Sequence, residues 1–161
     1  MAFYQKKTEQ FINASLEEVW DFMSSPKNLK EITPKHMGFD ITSDNKEEKM
    51  YQGMIISYIV KPILGIPTNW VTEITHVVDH KYFVDEQRIG PYKLWHHQHI
   101  LEERDGGVYM KDIITYEPPM GFLGAIANSL FIKKQLNTIF DFRFKAVDEK
   151  FNNKHTVLQS A

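Results

Sequence analysis

The chain contains no cysteine. Disulfide staples, a thiolate nucleophile and a cysteine-ligated zinc site are therefore excluded. Long apolar runs are missing too, since no window reaches the ~18 apolar residues that a membrane helix needs. Residues 1–11 hold no apolar core of signal-peptide length, so a cytoplasmic address is expected. No excess of basic charge is present either. The net charge is −2, and Lys133 with Lys134 makes a pair, not a patch. Nucleic acid demands a basic stripe, so it is not expected as a partner. Nucleophile elbow, phosphate-binding glycine loop and dinucleotide fingerprint are all missing.

What the chain does have is rings: Phe 11, Tyr 7 and Trp 3. Aromatics bury large areas per residue, so an interior lined by rings is expected. At 161 residues the chain can bury a core unaided. No linker or repeat divides it, so residues 1–152 read as one domain and residues 153–161 as a polar tail.

Residues 3–12 read as a strand. Ser15 and Glu18 then form a capping box for a short helix whose stripe is Val19, Trp20, Phe22 and Met23. Ser25-Pro26 opens a second short helix, with Pro at the first helical position, and Thr33-Pro34 stops it. The middle of the chain reads as strands, at residues 37–42, 54–60, 69–78, 82–89, 92–103 and 108–116. Residues 62–67, with Gly65, read as a loop. Asp105-Gly106 is the strongest hairpin signal. After Pro118-Pro119 the period turns helical, with Leu123, Ile126, Leu130, Asn137, Phe140, Phe144 and Val147 as one stripe. About 28 residues of helix would span roughly 40 Å. Strands followed by one long helix argue for an α+β fold with an antiparallel sheet covered by that helix.

The turns set the register. A two-residue turn at Asp105-Gly106 pairs Leu101 with Met110, His99 with Asp112, His97 with Ile114 and Trp95 with Tyr116. All eight then share one face. In the preceding hairpin, Trp70 is expected opposite Ile89, Thr72 opposite Gln87, Ile74 opposite Asp85 and His76 opposite Phe83. The other face opposes Glu73 to Glu86, a like-charge pair tolerable only in water. A three-residue loop 90–92 would bring the two ribbons to the same face. That face would then mix large rings with Asp85, Gln87, His97, His99 and Asp112. Each unpaired buried polar group costs about 1–3 kcal/mol. These groups therefore either pair with one another or line a wet cavity.

The motifs resemble a known family. Ser15-Leu16-Glu17-Glu18-Val19-Trp20-Asp21-Phe22, Ser25-Pro26-Lys27-Asn28-Leu29 and Ile32-Thr33-Pro34 look like the opening of START-like proteins. This is the polyketide cyclase/dehydratase and lipid-transport (SRPBCC) superfamily. Residues 85–92, followed by Trp95-His96-His97-Gln98-His99, resemble its bacterial ligand-binding branch, and Asp112, Tyr116-Glu117-Pro118-Pro119 and Gly121 continue the match. The resemblance implies a helix-grip fold: a curved antiparallel sheet of about seven strands wrapped around a long C-terminal helix, with two short helices after the first strand. It implies a ligand cavity between sheet and helix, and it does not imply which ligand.

The expected ligand-binding residues are Trp70, Phe83, Asp85, Gln87, Trp95, His97, His99, Asp112, Tyr116 and Phe122. The expected ligand is a small hydrophobic or partly polar molecule such as a lipid, polyketide or aromatic metabolite. No cofactor and no metal are expected, because the histidines read as hydrogen-bonding groups. A cyclase or dehydratase, with His97 or His99 as base and Asp112 orienting it, is the alternative. An interaction module that uses the fold without a ligand is a third reading, favoured by a cavity under about 300 Å³. Trp20 reads as core, and Arg143 as an exposed or snorkelling residue.

Overall fold

A computed structural model describes residues 3–44, 49–63, 66–119, 121, 123–124 and 128–152. The chain begins with strand β1 (Tyr4–Ile12), helix α1 (Leu16–Met23) and a 3-10 helix (Pro26–Lys30). A second 3-10 turn (Lys35–Met37) leads to the two-residue strand β2 (Asp40–Ile41). Five strands follow: β3 (Ile55–Ile63), β4 (Ile66–Val78), β5 (Tyr82–Ile89), β6 (Leu94–Arg104) and β7 (Gly107–Glu117). Helix α2 (Lys133–Val147) runs between two π-helical turns, Asn128–Ile132 and Asp148–Asn152. The sheet has seven antiparallel strands in the order β1-β7-β6-β5-β4-β3-β2. Among the described residues no helix is long and apolar enough to cross a membrane.

Local chemistry explains the elements. The Ser15 hydroxyl accepts from the Glu18 N–H, while the Glu18 carboxylate accepts from the Ser15 N–H. Such a cap contributes about 1 kcal/mol. Asp105 and Gly106 both have positive φ, 57° and 80°, as a two-residue type I′ turn requires. That turn sets the β6–β7 register, which runs from Leu94 opposite Glu117 to Arg104 opposite Gly107. All four pairs expected there are present.

The β4–β5 hairpin differs at its ends. Thr72–Gln87, Glu73–Glu86 and Ile74–Asp85 pair as expected. Thr75 is then an extra residue on β4, so Val77 and not His76 faces Phe83. Arg88 is extra on β5, so Val71 and not Trp70 faces Ile89. Such bulges sharpen twist, and one extra residue resets the face beyond it. The like charges on Glu73 and Glu86 are bridged by Arg88, whose Nε lies 2.6 Å from Glu73 and Nη1 3.0 Å from Glu86. Loop 62–67 is shorter than expected. Strand β3 continues through Pro62 to Ile63, which pairs with Ile66, and a register shift between Val60 and Ile63 accommodates the proline. Gly65 lies outside the described residues, as do residues 153–161.

The helical stripe also differs. Ile132, Leu136, Phe140 and Val147 are buried, whereas Leu123, Leu130 and Phe144 are exposed. Apolar residues lie on more than one side of this helix, and sheet contact selects the side. The larger core joins α1, the inner face of β1 and β3–β7, Val147 and Phe151. A second cluster packs Ile114 and Tyr116 against Ile132, Leu136 and Phe140.

Candidate functional site

Between the inner sheet face and α2 lies a hollow of about 130 Å³. Its walls are mostly apolar, with Leu29, Met37 and Phe39 on one side and Leu136, Ile139 and Phe140 on the other. Trp70, Trp95 and Tyr92 form a ring cluster on one wall, with Trp70 and Trp95 meeting edge to face at 5.4 Å between centroids. The Trp70 indole N–H donates to the Thr72 hydroxyl, which also bonds the Tyr58 hydroxyl at 2.8 Å. Burial pushes the Tyr58 and Tyr92 phenols above their ordinary range.

One part of the wall is polar. Neighbouring strands place Asp85 opposite His97, and His99 opposite both Phe83 and Asp112. The His97 Nε2–H donates to Asp112 Oδ1 at 2.9 Å. The His99 Nε2–H donates to Asp85 Oδ2 at 2.9 Å. His99 Nδ1 also lies 2.9 Å from Asp112 Oδ1, but its approach does not form a hydrogen bond. His97 Nδ1 is 3.4 Å from Asp85 Oδ2. The two imidazoles overlap at 3.8 Å, and Phe83 stacks on His99 at 4.2 Å.

These contacts set the charges. Burial, then the charge on His99, pushes His97 down to about 4, and the two carboxylates only partly offset this. Burial alone would lower His99, but Asp112 and Asp85 together outweigh it and hold His99 above its ordinary value. Burial alone would raise both acids. His97 and His99 outweigh it, holding Asp85 below and Asp112 well below the usual carboxylate range. The cluster thus sets two carboxylates beside one histidine that resists protonation, His97, and one that favours it, His99.

Arg143 completes the polar wall, and its side chain is only 12% exposed. The expectation of a solvent-facing arginine is thus corrected: position 143 falls one helical turn from Phe140 and one from Val147, on the covered side of α2. Its Nη1 is 3.7 Å from Asp112 Oδ1, too long for a hydrogen bond. Both Nε and Nη1 are buried without a hydrogen-bond partner among the described residues.

Of the expected site residues, Trp70, Phe83, Asp85, Trp95, His97 and His99 line the hollow. Asp112 sits behind the histidines, lining with Arg143 a separate crevice of about 80 Å³. Tyr116 is buried in the second core cluster, stacked on Tyr4. Gln87 clamps the β5–β6 loop instead, since its side chain both donates to and accepts from the Tyr92 backbone. Phe122 lies outside the described residues. Sequence reasoning missed Tyr58 and Tyr92. It weighed Arg143 but preferred an exposed or snorkelling reading, although an arginine inside a run of phenylalanines was the available signal.

The fold itself has been seen before. The chain is similar to TTHA0849 from Thermus thermophilus, with TM-score 0.67 and 13% identity over 98% of this chain and 100% of that one. It is similar to ginseng major latex-like protein 151 from Panax ginseng, with TM-score 0.67 and 12% identity over 92% and 97%. Ara h 8.0201 follows with TM-score 0.61 and 14% identity over 91% and 98%. The likeness is one of fold: a helix-grip architecture. No protein-family profile and no curated protein matches the chain.

Proposed function

We propose that the protein binds a small, mostly apolar molecule carrying one polar acceptor group, held in the hollow between sheet and helix. The observation that carries this reading is the Arg143 guanidinium, whose Nε and Nη1 are buried without a hydrogen bond in the wall of a mostly apolar hollow. Leaving a buried donor unmade costs about 1–3 kcal/mol, more when it is charged. A ligand oxygen facing Arg143 removes that cost, and the rings supply the burial energy. Apolar walls with a few polar groups are the usual make-up of a small-molecule site.

The volume restricts the ligand. At about 130 Å³ the hollow falls below the ~300 Å³ at which typical ligand pockets begin. An engineered apolar cavity of about 150 Å³ holds benzene. A one-ring aromatic metabolite or a short acyl segment therefore fits, and a multi-ring polyketide or a whole lipid does not unless the walls move. The small volume also favours the interaction-module reading, but that reading leaves the buried Arg143 donors without a hydrogen bond. Acid/base catalysis is disfavoured by the charges. His97 at about 4 is a weak base at neutral pH, and His99 Nε2 is already engaged by Asp85. We take residues 1–152 as one binding unit acting in the cytoplasm, without nucleic acid or stable membrane insertion.

The test has two arms. Native mass spectrometry of the purified chain looks for a co-purified small molecule. Benzoate and toluene are then titrated into labelled protein while the Trp70 and Trp95 indole N–H resonances are followed by NMR. The reading expects saturable shifts, tighter for benzoate than for toluene. No co-purified molecule together with unmoved indole signals at millimolar benzoate would reject it.

A further inference from the structure

We propose that Asp85, His97 and His99 form a binding site for one divalent first-row transition-metal ion, with a remaining coordination position open to the hollow. The inference stands on these side chains and does not rest on the ligand reading above.

Convergence is the first argument. Each of the three residues offers one donor atom, and these atoms lie within 4.8 Å of one another. Asp85 Oδ2 is 2.9 Å from His99 Nε2 and 3.4 Å from His97 Nδ1. Metal–ligand bonds of about 2.0–2.2 Å at tetrahedral angles place donor atoms roughly 3.3–3.6 Å apart. Shifts of only a few tenths of an ångström to about an ångström would close the site around an ion.

The second argument is the group behind the histidines. The nitrogens that face away from Asp85, His97 Nε2 and His99 Nδ1, both lie 2.9 Å from Asp112 Oδ1. A carboxylate on the far nitrogen is how metal-binding histidines are held in tautomer and orientation. Here Asp112 is hydrogen-bonded to His97 and lies beside the far nitrogen of His99. Adjacent ladder positions on three neighbouring strands hold the set, so little order remains to be imposed on binding.

The third argument is orientation. Asp112 accepts from His97 Nε2. That leaves His97 Nδ1 facing the Asp85 oxygen at 3.4 Å. A cation placed between those two atoms would be held by both.

Ligand type narrows the ion. Two imidazoles and one carboxylate suit zinc or ferrous iron, whereas calcium and magnesium prefer oxygen donors. Charge narrows what fills the open position. With both histidines neutral, a divalent ion and Arg143 exceed the two aspartates by one positive charge. An anionic oxygen, from hydroxide or a ligand carboxylate, balances it.

The test uses the full-length chain, stripped with a chelator and titrated with Co²⁺. Expected are one ion per chain, the strong visible absorption of a low-coordinate cobalt centre, and its displacement by Zn²⁺. Asp85→Asn is expected to weaken binding at least tenfold. Asp112→Asn, a positioning change, is expected to weaken it about 10- to 100-fold with the absorption bands kept. Circular dichroism checks that each variant folds. If either does not, X-ray absorption of the zinc-loaded wild-type chain decides, with two imidazole nitrogens in the ion's coordination shell as the required result. A folded wild-type chain that takes up no Co²⁺, unaltered affinity in Asp85→Asn, or fewer than two imidazoles on zinc overturns the site. Benzoate binding measured on the stripped protein separates the two readings, because its persistence without metal uptake ends only this one.

Discussion

Asp85 on β5 is the direct cross-strand partner of His97 on β6, yet its hydrogen bond goes diagonally to His99. Asp112 on β7 mirrors this: it pairs with His99 in the ladder and accepts its hydrogen bond from His97. The two acids flank the two imidazoles from opposite sides, so each histidine has a carboxylate near each ring nitrogen. The cluster behaves as one electrostatic unit, and removing any member leaves buried charge behind.

Asp112→Ala is therefore expected to destabilise the metal-free fold by about 3–5 kcal/mol, the usual cost of breaking a buried pair from one side. It would leave His99 and Arg143 buried with one fewer anion. Urea denaturation with an unchanged slope measures this. A loss below about 1 kcal/mol would mean that water reaches the cluster.

The same cluster makes stability depend on pH from both sides. Folded His97 sits at about 4 against an ordinary 6.5, so between these values the unfolded chain binds the extra proton. Its contribution is complete above pH 6.5 and is lost as pH falls through 4, on the order of 3 kcal/mol in all. Asp112, held low, adds a loss at still lower pH. His99 is raised, so its contribution is complete below pH 6.5 and fades as pH rises through its folded value. The denaturation midpoint of chelated protein should fall as pH drops from 6.5 to 4, and fall again as pH rises through the His99 value. A flat profile from pH 4 to 6.5 would contradict the buried neutral His97.

How much of this was legible in the sequence depends on where the backbone leaves its regular repeat. The Asp105-Gly106 turn propagates its register over eleven pairs without a bulge, so strict alternation put Trp95, His97, His99 and Asp112 on one face correctly. Thr75 and Arg88 carry no composition signal for a bulge, since bulges answer to sheet twist, and the outer β4–β5 pairs were misread there. Gln87 was assigned to the ligand by alternation alone, but the four-residue connection 90–93 needed an anchor and drew its side chain away. The Arg143 error has the same root: α2 offers apolar residues on several sides, and only the sheet decides which one is covered.

Arg143→Met keeps the length of the side chain and removes the unpaired donors. Unfolding stability is expected to change by no more than about 1 kcal/mol, because donors without hydrogen bonds are replaced by an apolar group of similar shape while the 3.7 Å ion contact to Asp112 is lost. Benzoate affinity should fall at least tenfold, while toluene affinity should change less than threefold. Calorimetric titration of both compounds checks the split. An equal loss for both would show that Arg143 acts by shaping the wall and does not meet the carboxylate.

The size limit on the ligand can be tested by moving the wall. Leu136 is buried and faces the hollow from α2, so Leu136→Ala enlarges it without touching the polar cluster. Such truncations cost about 2–5 kcal/mol, because surrounding atoms only partly collapse into the space. The variant should therefore unfold earlier but accept a larger ring system. Naphthoate should gain affinity relative to benzoate, and binding should restore part of the lost thermal stability, since a ligand that binds only the folded state shifts the unfolding equilibrium. Bound naphthoate should also shift the indole signals of Trp70 and Trp95 on the opposite wall. If naphthoate and benzoate keep their wild-type ratio in Leu136→Ala, the ligand is not held between α2 and the tryptophans, and the hollow is not where binding occurs.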